Sequence, residues 1–245
     1  MNFIIFEHNE NRILIIAHRG ASNVAPPNTL KAFEKAIELK ADYIEFDVHQ
    51  SKDGAIVVIH DAFVTDINGQ ERYVKEMELR ELKLINMGEG ENIPTLKDLI
   101  KITKGKIGLQ CEVKATKFTE ELVELLGQEN LIETSIISSF IFKELLKLQK
   151  INSNLKLALL IPPELKSSHQ LIKYSQKAIN SNFYAVHPYF GAINKEFVKL
   201  IHQNDMLVNV WTVNEKSEIK EALEMGVDGI ISDDIELVKQ VLNRN

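Results

Sequence analysis

Polar residues with complementary chemistry recur where short apolar runs of this chain end. Ala17-His18-Arg19-Gly20 closes the first run, and Glu45-Phe46-Asp47 lies in the second. Ile59-His60-Asp61, Glu112-Val113-Lys114 and Trp211-Thr212-Val213-Asn214 follow. Side chains alternate across a strand, so Glu45 and Asp47 share a face that Phe46 does not, and Glu112 and Lys114 form a second same-face pair. Gathering like-charged carboxylates is costly unless protons or a cation compensate. Three carboxylates from neighbouring strands, with few thiol or spare imidazole ligands, suit one hard divalent ion, Mg²⁺ or Ca²⁺. The metal-free alternative has Glu45 and Asp47 ion-paired with Lys114 and Arg19. His18 and His60 supply two imidazoles, a group that can serve as acid and base in one cycle. Arg19 and Lys114 can hold the non-bridging oxygens of a phosphate. Together these groups can cleave a phosphodiester.

What must position them is read from periodicity. Strand-like runs occur at Ile13–Ala17, Tyr43–Val48, Ile56–His60, Ile107–Val113, Ile136–Ser138, Leu155–Ile161, Phe183–Val186, Met206–Trp211 and Gly229–Ser232. Their near-continuous apolar character suits parallel strands buried on both faces. Helical patterns alternate with them. Asn28 can cap a helix carrying Leu30, Phe33, Ala36 and Ile37, and Pro94 can open one carrying Leu96, Leu99 and Ile100. Further helices are expected at Thr119–Leu126, Phe140–Lys150, Gln170–Ile179, Lys195–His202, Lys216–Glu224 and Ile235–Leu242.

Nine runs exceed a (β/α)₈ barrel by one. Only Gln50 to Ala55 separates the second run from the third, too short for a parallel crossover, so that pair is an antiparallel hairpin turning at Asp53-Gly54. Eight βα units remain, an α/β class chain folded as a (β/α)₈ TIM barrel, whose reactive groups belong at the C-terminal ends of its strands. A doubly wound sheet is the alternative, but the first βα turn lacks its glycine fingerprint. A symmetric two- or four-residue hairpin loop would set His60 directly opposite Asp47, and a three-residue loop would break that register.

Composition bounds the rest. Twenty-nine Lys and Arg against 35 Asp and Glu leave a net charge of −6 on 245 residues that are 44% hydrophobic and 26% charged. This fits one domain over 1–245, with no linker composition to divide it. The acidic balance without a basic block speaks against nucleic acid and anionic-membrane surfaces. A single cysteine, Cys111, excludes an internal disulfide framework and any multi-thiolate zinc site. No apolar stretch approaches the roughly 20 residues of a membrane span, so no stable membrane anchor is expected. Phe3-Ile4-Ile5-Phe6 lacks the leading positive charge of a signal peptide, and the expected compartment is the cytoplasm.

Several residues carry blander readings. His49 shares the face of Glu45 and Asp47 but lies toward the turn, as a solvated neighbour. His187 at a strand end reads as a packed or capping residue, and Cys111 as a small buried hydrophobe. His8, His169 and His202 have no constellation around them. Met77, Leu79 and Leu82 read as a local packing stripe in preference to a lid.

The chain resembles the glycerophosphodiester phosphodiesterase family, among the phosphatidylinositol-phospholipase-C-like barrels. The resemblance rests on His18-Arg19-Gly20, Asn28-Thr29 with Ala32-Phe33, Glu45-Phe46-Asp47-Val48, Lys52-Asp53-Gly54 and His60-Asp61. It continues through Pro94-Thr95-Leu96, Glu112-Val113-Lys114, Trp211-Thr212-Val213-Asn214 and Gly226-Val227-Asp228-Gly229. It implies a (β/α)₈ barrel with a small insertion within 62–93. It also implies a divalent metal on Glu45, Asp47 and Glu112, with His18 and His60 as acid and base. Arg19 and Lys114 would contact the phosphate and Trp211 would line the pocket. A substrate hydroxyl would attack phosphorus to give a cyclic phosphate that water opens, leaving an alcohol and glycerol 3-phosphate. The expected partner is a small glycerophosphodiester, on a monomer or homodimer. A lysophospholipase D and a catalytically inactive phosphodiester-binding barrel are the competing readings. Pro27 stands where the family has a Glu, removing a carboxylate that could pair with Arg19. Ser232-Asp233-Asp234 also departs from the family pattern, a change not expected to touch the chemistry.

Overall fold

Ile- and Val-rich runs that cannot leave either face in water form the closed centre of this chain. The computed structural model describes residues 12–165 and 167–244; Phe3-Ile4-Ile5-Phe6 and His8 lie outside them. The strands are β1 (Leu14–Ala17), β2 (Tyr43–Gln50), β3 (Ile56–Val58), β4 (Phe63–Thr65), β5 (Glu71–Tyr73), β6 (Asn86–Gly88) and β7 (Glu91–Asn92). They continue as β8 (Gly108–Val113), β9 (Ser135–Ser139), β10 (Lys156–Ile161), β11 (Ala185–Pro188), β12 (Leu207–Val210) and β13 (Gly229–Ser232). The helices are α1 (Leu30–Glu38), α2 (Leu79–Leu82), α3 (Leu96–Thr103), α4 (Thr119–Gln128), α5 (Phe142–Ile151), α6 (Ser168–Asn180), α7 (Lys195–His202), α8 (Lys216–Met225) and α9 (Ile235–Val241).

Strands β1, β2, β8, β9, β10, β11, β12 and β13 pair in parallel in that order, and β13 returns to β1. The expected (β/α)₈ barrel is the observed fold. Its outward strand residues pack against the helices: Phe46 meets Phe33 of α1 edge to face at 6.2 Å. Burying such a side chain contributes about 1.5–3 kcal/mol. Leu14, Ile16, Tyr43, Ile136, Ala158, Ala185 and Ile231 fill the interior.

The hairpin after β2 exists, but not in the expected register. Val48 pairs with Val58, His49 with Val57 and Gln50 with Ile56, which puts Ile59 opposite Asp47 and removes His60 from that place. The cause is a three-residue loop. Ser51 N donates to Ala55 O, Gly54 N donates to Ser51 O, and Gly54 takes a φ of +87° that suits glycine. β3 ends at Val58, so the chain leaves the ladder before His60.

Two helix starts also differ. Asn28 does not cap α1; Thr29 does, its Oγ1 accepting from Ala32 N at 3.2 Å. Pro94 lies outside α3, where Thr95 and Asp98 form a capping box. α5 begins at Phe142, which leaves Phe140 in the strand-end loop.

The insertion carries the short hairpins β4–β5 and β6–β7 and the helix α2. Its Val64, Val74, Met77, Leu82, Ile85 and Ile93 close a core with Val57 and Ile59, apart from the main one. Met77 and Leu82 therefore pack locally, as their spacing suggests.

Candidate active site

The alternation along β2 sends Glu45 and Asp47 to the barrel interior while Phe46 faces α1. Register on β8 sets Glu112 beside Asp47. One oxygen from each of Glu45, Asp47 and Glu112 lies within 4.8 Å of the others, and all three residues are buried. Burial, then the charges of Asp47 and Glu112, push Glu45 well above the usual carboxylate range. Burial, then Asp47, push Glu112 up to about 7. The cluster thus carries more negative charge than its surroundings offset, and its donors are all oxygen. Both features fit a hard divalent cation.

The protein's own cations offset only part of that charge. Lys114 Nζ is 2.8 Å from Glu112 and 3.5 Å from Asp47, and Arg19 Nε is 3.3 Å from Asp47. Burial opposes ionisation of Asp47, but Lys114, Arg19, the Asn28 amide and His60 outweigh it and hold the carboxyl below its ordinary range. Burial also works against charge on Lys114, and Glu112 and Asp47 reverse it and raise its pKa. The ion pairs of the metal-free reading are therefore present, and the triad fits a cation alongside them.

Backbone geometry after β1 aims these groups. Arg19 has a φ of +55°, and its N–H donates to Glu45 Oε2 at 3.0 Å. Asn28 has a φ of +59°. Its Nδ2 donates to Asp47 Oδ2 at 2.8 Å and its Oδ1 accepts from Asp47 N at 3.3 Å. Left-handed non-glycine residues cluster where a fold holds special geometry. The residue read as a cap is thus a clamp on Asp47.

Both histidines of the expected pair border the same cavity of about 200 Å³ at the C-terminal mouth. His18 Nδ1 lies 2.7 Å from Asp233 Oδ1, and His60 Nδ1 lies 2.7 Å from Asp61 Oδ1. A neutral imidazole that gives Nδ1–H to a carboxylate presents Nε2 as its acceptor. The two supports differ. Asp233 also accepts from Ser22 Oγ at 2.7 Å and Asn214 Nδ2 at 2.6 Å, whereas Asp61 is largely exposed. Burial would raise Asp233, but hydrogen bonds from His18, Ser22 and Asn214 hold it down at about 2. The expectation that the Asp233 segment leaves the chemistry untouched is therefore corrected, because this carboxylate holds His18. Its signal was its place just after β13, the strand end where a barrel puts reactive groups.

The cavity has one charged wall and one apolar wall. Trp211 lies edge to face with Phe140 at 5.7 Å and with Tyr189 at 5.8 Å, and Trp211, Phe140 and Leu160 border the cavity with Gln110 and Ser138. His49 is not solvated: it is buried, with its Nε2 3.1 Å from the His60 carbonyl, on the path that holds His60 in place. His187 packs inside the barrel against Asn209 at 3.1 Å and does not border the cavity. Cys111 is buried in the outer layer, as expected. His202 pairs with Asp228 at 2.8 Å, away from the site.

A closed parallel barrel with its acidic, basic and imidazole groups at the C-terminal mouth is the architecture of an α/β-barrel enzyme. The model of the glycerophosphoryl diester phosphodiesterase family matches residues 18–237. A glycerophosphodiester phosphodiesterase of Caldanaerobacter subterraneus is 34% identical over 95% of this chain and 99% of its own length. Among solved structures, a glycerophosphodiester phosphodiesterase of Thermotoga maritima has a TM-score of 0.79 at 26% identity, covering 94% of this chain and 99% of that one. An Oleispira antarctica phosphodiesterase, solved with the product sn-glycerol-3-phosphate, shares the fold at a TM-score of 0.81 and 24% identity, over 94% and 96% of the two chains. The chain belongs to the glycerophosphoryl diester phosphodiesterase family and is an enzyme.

Proposed function

We propose that this enzyme hydrolyses deacylated glycerophosphodiesters, such as glycerophosphocholine or glycerophosphoethanolamine, to an alcohol and glycerol 3-phosphate. The reading is carried by one observation: three buried carboxylates converge within 4.8 Å beside two imidazoles on one cavity. Glu45, Asp47 and Glu112 hold one divalent ion, Mg²⁺ or Ca²⁺. Such an ion, when bound, stabilises charge building on phosphoryl oxygens.

His18 Nε2 takes the proton of the glycerol hydroxyl next to the phosphoester, and that oxygen attacks phosphorus. His60 gives a proton to the departing alcohol. The cyclic phosphate is then opened by water with the two roles exchanged. Arg19 and Lys114 hold the non-bridging oxygens, and Trp211 forms the apolar wall. The half-buried Asp233, held by Ser22 and Asn214, favours His18 as the first base, because it stabilises the imidazolium that forms. One domain spans the chain, and its compartment is the cytoplasm; among the described residues no helix is long and apolar enough to cross a membrane.

The test is a panel of diesters with a coupled glycerol-3-phosphate readout, before chelation, after it, and after Mg²⁺ or Ca²⁺ is restored. Turnover lost on chelation and regained with one ion supports the reading. Ligand binding without product under either ion would favour a binding protein.

A further inference from the structure

Gln110 on β8 and Ser138 on β9 are each 1% exposed and both border the cavity, yet Gln110 Oε1 and Ser138 Oγ meet no hydrogen-bond partner among the described residues. A fold keeps buried polar atoms without partners only at a cost, and each such atom calls for a reason. Other orphaned atoms on barrel strands, on Ser135, His187 and Asn209, do not border the cavity. Asn209 Oδ1 instead occupies space left by Gly229, 2.5 Å from where a Cβ would stand.

Register fixes where the two lie. Gln110 pairs with Glu45 and Ser138 with Glu112. Gln110 is two residues before Glu112 on one strand, about 7 Å along it and level with Glu45, while Ser138 is level with Glu112. Gln110 and Ser138 are diagonal neighbours on adjacent strands, and an amide oxygen and a hydroxyl so placed on one cavity can accept from and donate to one alcohol. Both border a cavity of about 200 Å³ that also carries His18, His60 and Lys114.

We propose that Gln110 and Ser138 recognise the free terminal hydroxyl of the glycerol moiety, which restricts the site to deacylated substrates and rejects lysophospholipids. This rests on the glycerophosphodiesterase reading above, in which the neighbouring hydroxyl attacks phosphorus. Esterifying the terminal hydroxyl removes its donor and leaves Gln110 Oε1 unpaired. A site built to bond a hydroxyl discriminates strongly against an analogue that lacks it.

The test compares calorimetric binding of sn-glycerol 3-phosphate with that of propane-1,2-diol phosphate, which lacks the terminal hydroxyl, at fixed Mg²⁺. The wild type is expected to prefer sn-glycerol 3-phosphate by about tenfold or more, and Gln110→Leu and Ser138→Ala to bring the ratio to about twofold or less. Gln110→Leu should melt at or above the wild-type temperature, because it removes an orphaned atom at similar volume; a purely structural glutamine would lower it. Should the leucine variant not fold, Ser138→Ala decides. Equal wild-type affinity for the two ligands, or a ratio unchanged in the variants, overturns the proposal. A turnover arm sets glycerophosphocholine against 1-acyl-lysophosphatidylcholine. Rapid hydrolysis of both also overturns the proposal, whereas failure to hydrolyse either, with the binding ratio intact, removes the phosphodiesterase reading and leaves the hydroxyl subsite standing.

Discussion

His18 and Asp233 are 215 positions apart in the chain and joined at 2.7 Å in the fold, because parallel pairing of β1 with β13 brings the first and last strand ends together. The carboxylate orients the imidazole and, by taking Nδ1–H, leaves Nε2 as its acceptor. Asp233→Asn is expected to lower kcat by about 10²–10⁴. The pH profile of kcat should shift with it, a change that loss of packing alone would not produce. Steady-state kinetics across pH checks both.

His18→Ala and His60→Ala should each reduce turnover by about 10²–10⁴ if each moves a proton. Diester hydrolysis at a single saturating metal concentration measures it. Near-normal turnover in both variants would end their assignment as acid and base.

The ion-free protein should lose stability as pH rises. Glu112 reaches about 7 in the fold against an ordinary 4.5, and Glu45 moves the same way. A raised carboxyl contributes stability that is full below its unfolded pKa and lost as pH climbs through the folded one. The melting temperature of chelated enzyme should therefore fall between pH 4.5 and somewhat above 7. Added Mg²⁺ at about 100 times its Kd should restore about 2.7 kcal/mol. Because His187 works the other way over part of this range, the check is against Glu112→Gln: the chelated variant should lose less as pH rises, and equal slopes would contradict the charge accounting of the triad.

His187 acts in the opposite sense. Burial lowers it from 6.5 to about 3, so the fold holds it neutral where the unfolded chain binds a proton. Its contribution is full above pH 6.5 and fades as pH falls toward 3. Thermal melts of wild type and His187→Gln through this acid range should diverge, with the variant showing the shallower loss. Parallel curves would show that His187 takes up its proton as readily in the fold as in the unfolded chain.

Gly20→Ala should destabilise the turn that carries Arg19. Gly20 has a φ of +86°, and a Cβ there would stand 2.7 Å from the Ala32 backbone in the first turn of α1. A cost of about 1–3 kcal/mol is expected from the strained backbone alone, read as a lower urea midpoint. Activity should fall with it, because Arg19 N and Asn28 hold Glu45 and Asp47 from this same segment.

The barrel was legible because its strands are buried on both faces and so read as unbroken apolar runs, while Gln50 to Ala55 was too short for anything but a hairpin. The face shared by Glu45 and Asp47, and that shared by Glu112 and Lys114, followed from strand alternation alone. What escaped depends on loop geometry or on distant pairing. One residue in the loop at Lys52-Asp53-Gly54 decided the hairpin register, and propensity does not count that residue. Asn28 looks like a cap until its left-handed backbone turns its amide to Asp47. Asp233 gains its role only when the barrel closes.

The separate core beneath the insertion has a consequence for how this enzyme could be altered. Since Val64, Met77, Leu82 and Ile85 share their core with Val57 and Ile59, the excursion that starts beside His60 has a packing unit of its own, tied to α1 and α3 through Lys31–Glu89 and Lys83–Asp98. Substitutions inside that unit are expected to leave Glu45, Asp47 and Glu112 in place, because those carboxylates are carried by the barrel strands β2 and β8.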